Sequence, residues 1–126
     1  MTNKILGIAS ILGLLTVILG AFGAHSLKDS LDAATMQSFE TGVRYMMYHV
    51  LALLLINTSN LLTDKSKNLI SYLFLFGILL FSGSIFVIAL QILPARQIWF
   101  ITPIGGLLFI AGWLIATISF FKKKHA

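Results

Sequence analysis

Four stretches of this chain run for roughly twenty residues with almost no charge, and short polar breaks separate them. Ile5–Ala24, Leu69–Leu93 and Gln97–Phe121 carry no charged side chain, and Tyr45–Leu62 carries only His49. About 20 apolar residues are what a helix needs to cross the ~30 Å hydrocarbon core of a bilayer. Continuous runs favour helices over a β-barrel, whose strands alternate apolar and polar positions. A soluble domain of 126 residues could not hide this much apolar surface, because small domains keep much of their surface wet. Here 58% of residues are hydrophobic, 10% are charged and the mean hydropathy is +0.96. The expected fold is all-α: one polytopic membrane domain of four transmembrane helices in an antiparallel bundle. Its spans are expected at about 5–24, 43–62, 69–92 and 100–121.

The charge of +5 would suggest a nucleic-acid partner in a soluble protein. Here the lysines flank apolar runs, so nucleic acid is set aside in favour of membrane lipids. Four spans put both termini and the Thr63–Asn68 loop on one side, with Lys4, Lys65, Lys67, Lys122, Lys123 and Lys124. The other side holds Lys28, Arg44 and Arg96 together with Asp29, Asp32 and Glu40. Positive-inside bias then predicts cytoplasmic termini in a bacterial plasma (inner) membrane. The first span also reads as a signal peptide, with Lys4 before it and Ala21, Gly23 and Ala24 at its end. Its long core predicts retention as a membrane helix. The tail "FFKKKHA" has a topological role, reinforced by attraction to anionic lipid.

Lipid tails are as apolar as leucine, so membrane helices associate through close packing at small residues. Gly13 and Gly20 in the first run, Gly77 and Ser84 in the third, and Gly105 and Gly112 in the fourth repeat every seven positions. These six are the expected helix-packing residues. A lipid or ligand groove is the alternative reading of these stripes, and they could also dock a larger membrane complex; a homo-oligomer or a membrane protein partner is therefore a further expectation. In "ITPIGG", Pro103 suits the first turn of a helix with Thr102 as its cap. Gln97–Thr102 would then be an irregular outer segment with Trp99 and Phe100 at the interface, the alternative being a proline kink inside a longer helix.

The second run begins with "TGVRYMMYH", residues 41–49. A helix capped at Asp32 or Ser30 can pass through it into "VLALLLIN". At 100° per residue Gln37, Thr41, Arg44, Tyr45, Tyr48 and His49 share one face, with Glu40 at its edge. Met36, Phe39, Val43, Met46, Met47, Val50, Leu53 and Leu54 share the other. Ionisable side chains at membrane depth usually face the bundle or a wet cavity, so the polar arc is expected to point inward. Glu40 and Arg44, four apart, are placed to pair. With His25 closing the first span on the same side, the candidate ligand pocket is His25, Glu40, Arg44, Tyr45, Tyr48 and His49. The competing structural reading makes this arc an internal polar network, with arginine and tyrosine anchoring the helix to headgroups. No closely spaced ligand pair indicates a metal site, and His125 lies on the opposite tail. There is no cysteine, no G-x-S-x-G elbow, no phosphate loop and no dinucleotide fingerprint. No catalytic residue, metal or cofactor is therefore expected.

"GAFGAHSL" at 20–27, "TGVRYMMYH" at 41–49, "FSGSIFVIAL" at 81–90 and "ITPIGGLLFIAGW" at 101–113 together resemble one family. It is the small bacterial membrane proteins of the domain-of-unknown-function family numbered 423, similar to the eukaryotic transmembrane protein 256. The resemblance spans essentially the whole chain. Its motifs fall on Gly20, Gly23, His25, Arg44, Tyr45, Tyr48, His49, Pro103, Gly105, Gly106, Gly112 and Trp113. Where glutamine is common in the family this chain has Met46. The resemblance implies four membrane helices and no established activity, so it carries over no catalytic residue.

The functional expectation is a non-enzymatic membrane accessory protein that binds a lipid, another amphiphile or a partner at its outer side. A small oligomeric transporter or channel is the alternative, although the third and fourth runs offer no charge at mid-depth. A membrane enzyme acting on a lipid-linked substrate through a histidine base comes third.

Overall fold

The computed structural model describes residues 2–122, so Lys123, Lys124 and His125 lie outside the described residues. Every element among them is helical. Helix α1 (Thr2–Phe22) continues through a π-helical turn, Gly23–Leu27, and α2 spans Ala33–Thr58. Helix α3 (Asp64–Gly77) passes through a second π turn, Ile78–Ser82, into α4 (Gly83–Ala89). A single turn, α5 (Ala95–Ile98), precedes α6 (Ile101–Phe121). Four continuous rods are long and apolar enough to cross a membrane: Asn3–Leu27, Ala33–Thr58, Asp64–Ala89 and Ile101–Phe121. The chain is a four-span, all-α membrane bundle.

The second rod starts ten residues before the span expected at 43–62 and stops four residues sooner. Glu40 and Arg44 end the apolar window but not the helix, because hydrogen-bonded backbone tolerates charge where the side chains reach the interface. Its start is fixed by Asp32, whose carboxylate accepts from the Thr35 backbone N–H at 2.7 Å. That bond, with a further contribution from the Thr35 side chain, holds the Asp32 carboxyl below its ordinary value. A depressed folded-state value stabilises above the unfolded value and loses its contribution as pH falls through the folded one. Thermal unfolding in detergent should therefore show a decline at acid pH, below the ordinary carboxylate range. Asp32→Asn should keep the cap and lack that component, whereas Asp32→Ala should be less stable at neutral pH. At the other end of α2, Ser59 turns extended and the Thr58 hydroxyl donates to the Leu54 carbonyl at 2.7 Å.

The connection into α6 also differs from expectation. Ala95–Ile98 is helical rather than irregular, and α6 begins at Ile101. Pro103 is its third residue, where the missing N–H would have had no helical partner. Thr102 lies inside the helix instead of capping it, and its hydroxyl meets that of Ser84. Helix α4 ends at Ala89, and Gln91, just past its C-cap Leu90, has a left-handed φ of 61°. Gln91 N–H donates to Ile88 O and Ile92 N–H to Val87 O, both at 3.0 Å, which is the Schellman closure that glycine normally serves. Gln91→Gly should raise stability in micelles by about 1 kcal/mol, because glycine reaches this conformation without a Cβ clash.

Packing follows the small residues. Gly13 lies against Val50, Gly20 against Val43 and Gly23 against Phe39, so residue numbers fall along α2 as they rise along α1. The same antiparallel order joins α3 to α6: Phe74 fills the gap at Gly112, Phe81 lies over Gly105, and Phe109 fills the gap at Gly77. Each helix thus inserts phenylalanines where the other lacks a side chain. Gly105 is the least yielding point, since a Cβ there would meet main chain, with Phe81 Cα at 2.7 Å and the Leu80 carbonyl carbon at 2.8 Å. Helix α2 joins the two halves. Ser82, fully buried on the second π turn, donates to the Gly42 carbonyl at 2.7 Å. Asn57 donates to Ser71 Oγ at 2.8 Å, and both residues are buried. Burial against lipid-like neighbours provides little drive by itself, so these close contacts and interhelical hydrogen bonds carry the assembly.

Candidate functional site

The polar arc of α2 does not turn inward as a unit. The buried positions are Phe39, Gly42, Met46, His49, Val50, Ala52, Leu53, Ile56 and Asn57, drawn mostly from the apolar face. Met46 is 5% exposed, whereas Tyr48 is 52% exposed, and Glu40, Arg44 and Tyr45 are also exposed. The reason lies in the neighbours. Helix α1 occupies the Phe39–Val43–Val50 side and the α3–α4 rod the Gly42 side. The face bearing Glu40, Arg44 and Tyr48 is left open.

His49 alone is drawn in. Its ring lies parallel to Phe109, with centroids 3.6 Å apart and an interplanar angle of 9°. Phe74 meets it edge-on at 5.0 Å. The indole N–H of Trp113 donates to His49 Nε2 at 3.0 Å. An indole nitrogen can only donate, so Nε2 must carry a lone pair and the proton sits on Nδ1. Nδ1 lies 2.7 Å from the carbonyl of Tyr45, one turn earlier, and donates to it. Both nitrogens of a neutral imidazole are thereby committed inside the protein. Tyr45 packs its ring on Phe81 at 5.0 Å and on Tyr48 at 5.7 Å. Tyr45, His49, Phe81, Phe109 and Trp113 wall a shallow groove of about 530 Å³ beside Pro103 and Gly106.

Glu40 and Arg44 belong to a different groove, of about 540 Å³, where the end of α1 meets α2. Gly20, Gly23 and Ala24 form one wall, Met36, Phe39 and Val43 the other, and Lys28 joins Glu40 and Arg44 at its rim. The expected Glu40–Arg44 pair does not form. Arg44 donates instead to Thr41 Oγ1 at 3.1 Å. His25 is exposed on the first π turn and lines neither groove. The six candidate residues therefore separate: Glu40 and Arg44 in one groove, Tyr45 and His49 in the other, Tyr48 against Tyr45, and His25 apart. Reasoning from sequence did not assign Lys28, Phe74, Phe109 or Trp113 to the site. Lys28 had a signal, being the first cation after the first span. The three aromatic residues had none that named His49 as their partner. Among the described residues, no three His, Cys, Asp or Glu side chains come together as a metal site would need.

Comparison with known proteins agrees with this architecture. Residues 19–106 match the family model described as protein of unknown function (DUF423). A UPF0382 membrane protein of Haemophilus influenzae is 40% identical over 98% of this chain and 98% of its own length. UPF0382 membrane protein SSP2132 of Staphylococcus saprophyticus is 46% identical over 82% of this chain and 84% of its own. The UPF0382 inner membrane protein YgdD of Escherichia coli K12 is 37% identical over 99% of this chain and 95% of its own. No solved structure matches at a significant level. The chain is thus a multi-pass membrane protein that matches the DUF423 model and belongs to the UPF0382 family.

Proposed function

We propose that this protein is a non-catalytic membrane accessory protein that engages a molecule outside its own fold through the open polar face of α2. The observation that carries this reading is the placement of Arg44. It is exposed, unpaired with Glu40, and set in a groove at the junction of α1 and α2. Polar side chains at membrane depth are costly unless they find partners, and this face finds few within the chain. The commitment of both His49 nitrogens to internal partners supports a binding role over base catalysis.

A direct test compares what copurifies with wild type and with Arg44→Ala after gentle extraction. The variant should lose at least one lipid, amphiphile or protein that wild type retains. Identical copurifying lipids and proteins in the two samples would sink the reading. The orientation that goes with it places both termini in the cytoplasm and the Arg44 groove on the outer side. A C-terminal green fluorescent protein fusion should then fluoresce and a C-terminal alkaline phosphatase fusion should be inactive. The reverse pair would invert the topology.

A further inference from the structure

Helix α2 is 26 residues long, about 39 Å at 1.5 Å per residue, some 9 Å more than the hydrocarbon core requires. Its far end is marked by Thr58, Ser59 and Asn60, so the excess belongs at the end that Asp32 caps. The Arg44 Cα then lies roughly one and a half turns below the hydrocarbon boundary at that end. Helical Cα–Cβ bonds tilt toward the N-terminus, which here is the direction of the interface. The guanidinium can therefore rise toward the phosphate layer while its stem stays on apolar surface. Lys28, in the connection above, approaches the same groove from the water side.

The groove exists because its α1 wall has almost no side chains. Gly20 and Ala24 leave it open, while Gly23 is closed off by the Phe39 ring, 2.5 Å from where a Cβ would lie. Its rim carries two cations, Lys28 and Arg44, and one anion, Glu40. Of the five guanidinium N–H donors, only one hydrogen bond is made among the described residues, to Thr41. Lys28 and Arg44 have no ion-pair partner among the described residues. A single negative charge bearing several acceptor oxygens would bring the rim to neutrality. Met36 and Val43, half-buried below it, would accept apolar chains.

We infer that this groove, Lys28 and Arg44 over the Gly20–Ala24 notch, binds the phosphodiester headgroup of an anionic phospholipid. The inference rests on the outward-facing site proposed above and names its occupant. The Arg44 guanidinium supplies planar, two-pronged donation to phosphate oxygens, and the Lys28 ammonium supplies a second charge.

The test uses full-length protein, delipidated in a neutral detergent and titrated with phosphatidylglycerol, phosphatidylcholine or sn-glycerol 3-phosphate. Native mass spectrometry and thermal stability are the readouts. Wild type should hold phosphatidylglycerol as a resolved adduct and gain thermal stability from it, and should respond weakly to phosphatidylcholine. Lys28→Ala/Arg44→Ala should bind phosphatidylglycerol roughly 30-fold more weakly, at about 1 kcal/mol per cation. Lys65→Ala/Lys67→Ala, which removes equal charge at the opposite end, should bind like wild type. Lys28→Arg/Arg44→Lys, which keeps the charge but moves the two-pronged donor, should bind more tightly than the double alanine variant and less tightly than wild type, and shows that the groove still folds. Equal stabilisation by phosphatidylcholine, undiminished binding by the double alanine variant, or full stabilisation by glycerol phosphate alone would each overturn the assignment. If wild type ignores phosphatidylglycerol while Arg44→Ala still sheds another molecule, the lipid assignment falls and the outward-facing site stands.

Discussion

Gly105→Ala should be among the most damaging single-methyl changes available in this protein, while Gly106→Ala, one residue away, should be nearly silent. At Gly105 the added Cβ would lie 2.7 Å from Phe81 Cα and 2.8 Å from the Leu80 carbonyl carbon. Those atoms are main chain and cannot swing aside. Helices α3 and α6 would have to separate along the seam that also holds Phe74 and Phe109. Overpacking of this kind costs about 3 kcal/mol, the upper end of the usual range, because no side chain can yield. At Gly106 the new atom would meet only the Phe81 ring, at 3.7 Å, an ordinary contact. Its expected effect is within about 0.5 kcal/mol of wild type. Gly7→Ala is a second control, with nothing within 4 Å. Reversible unfolding in mixed micelles would measure all three. Equal effects at 105 and 106 would mean that the contact of the second π turn with α6 at Phe81 is not as close as described.

His49→Ala should be comparably severe for a different reason. It removes a ring stacked 3.6 Å from Phe109 and takes the acceptor from the Trp113 indole N–H, which has no water to turn to at this depth. A cavity left by a large-to-small change and an orphaned donor together give a loss of about 3–5 kcal/mol. The two parts separate. His49→Phe keeps a ring between Phe109 and Phe74 but leaves Trp113 without an acceptor, at about 1–2 kcal/mol. Trp113→Phe in that background removes the donor as well. The double variant should therefore lose less than the two single effects combined, with a coupling near 1 kcal/mol. Strict additivity would show that the His49–Trp113 bond contributes nothing to stability.

The four spans were legible in sequence because hydropathy responds to the membrane alone, and uncharged runs such as Leu69–Leu93 leave few alternatives. The helix cap at Asp32 was legible because capping is local. What fills the gaps at Gly77 and Gly112 was not. A seven-residue spacing of small residues indicates close approach, but not that Phe109 and Phe74 are the knobs. Residues 78–82 form a π turn without any proline or polar break to announce it, although Ser82 depends on that turn to reach the Gly42 carbonyl.

The arc of α2 was misjudged in an instructive way. Its one-sidedness was correct, but the inward direction assumed that Glu40 and Arg44 sit deep enough to require burial. On a helix with about 9 Å to spare they lie within snorkelling reach of the interface, and the apolar face becomes free to pack on α1 and α3. His49, farther down the helix, has no such escape and turns in toward Trp113, 64 positions away in sequence.

Spin labels test that division most directly, and the absence of native cysteine makes single-site labelling clean. Single cysteines at Arg44, Tyr48 and Leu51 would be compared with Met46 and Val50 by oxygen accessibility in delipidated micelles. The account predicts mobile, oxygen-accessible labels at 44, 48 and 51 and immobilised, protected labels at 46 and 50. Protection at 44 and 48 with free access at 46 would contradict it, because the polar arc would then face the bundle and no open site would remain on α2.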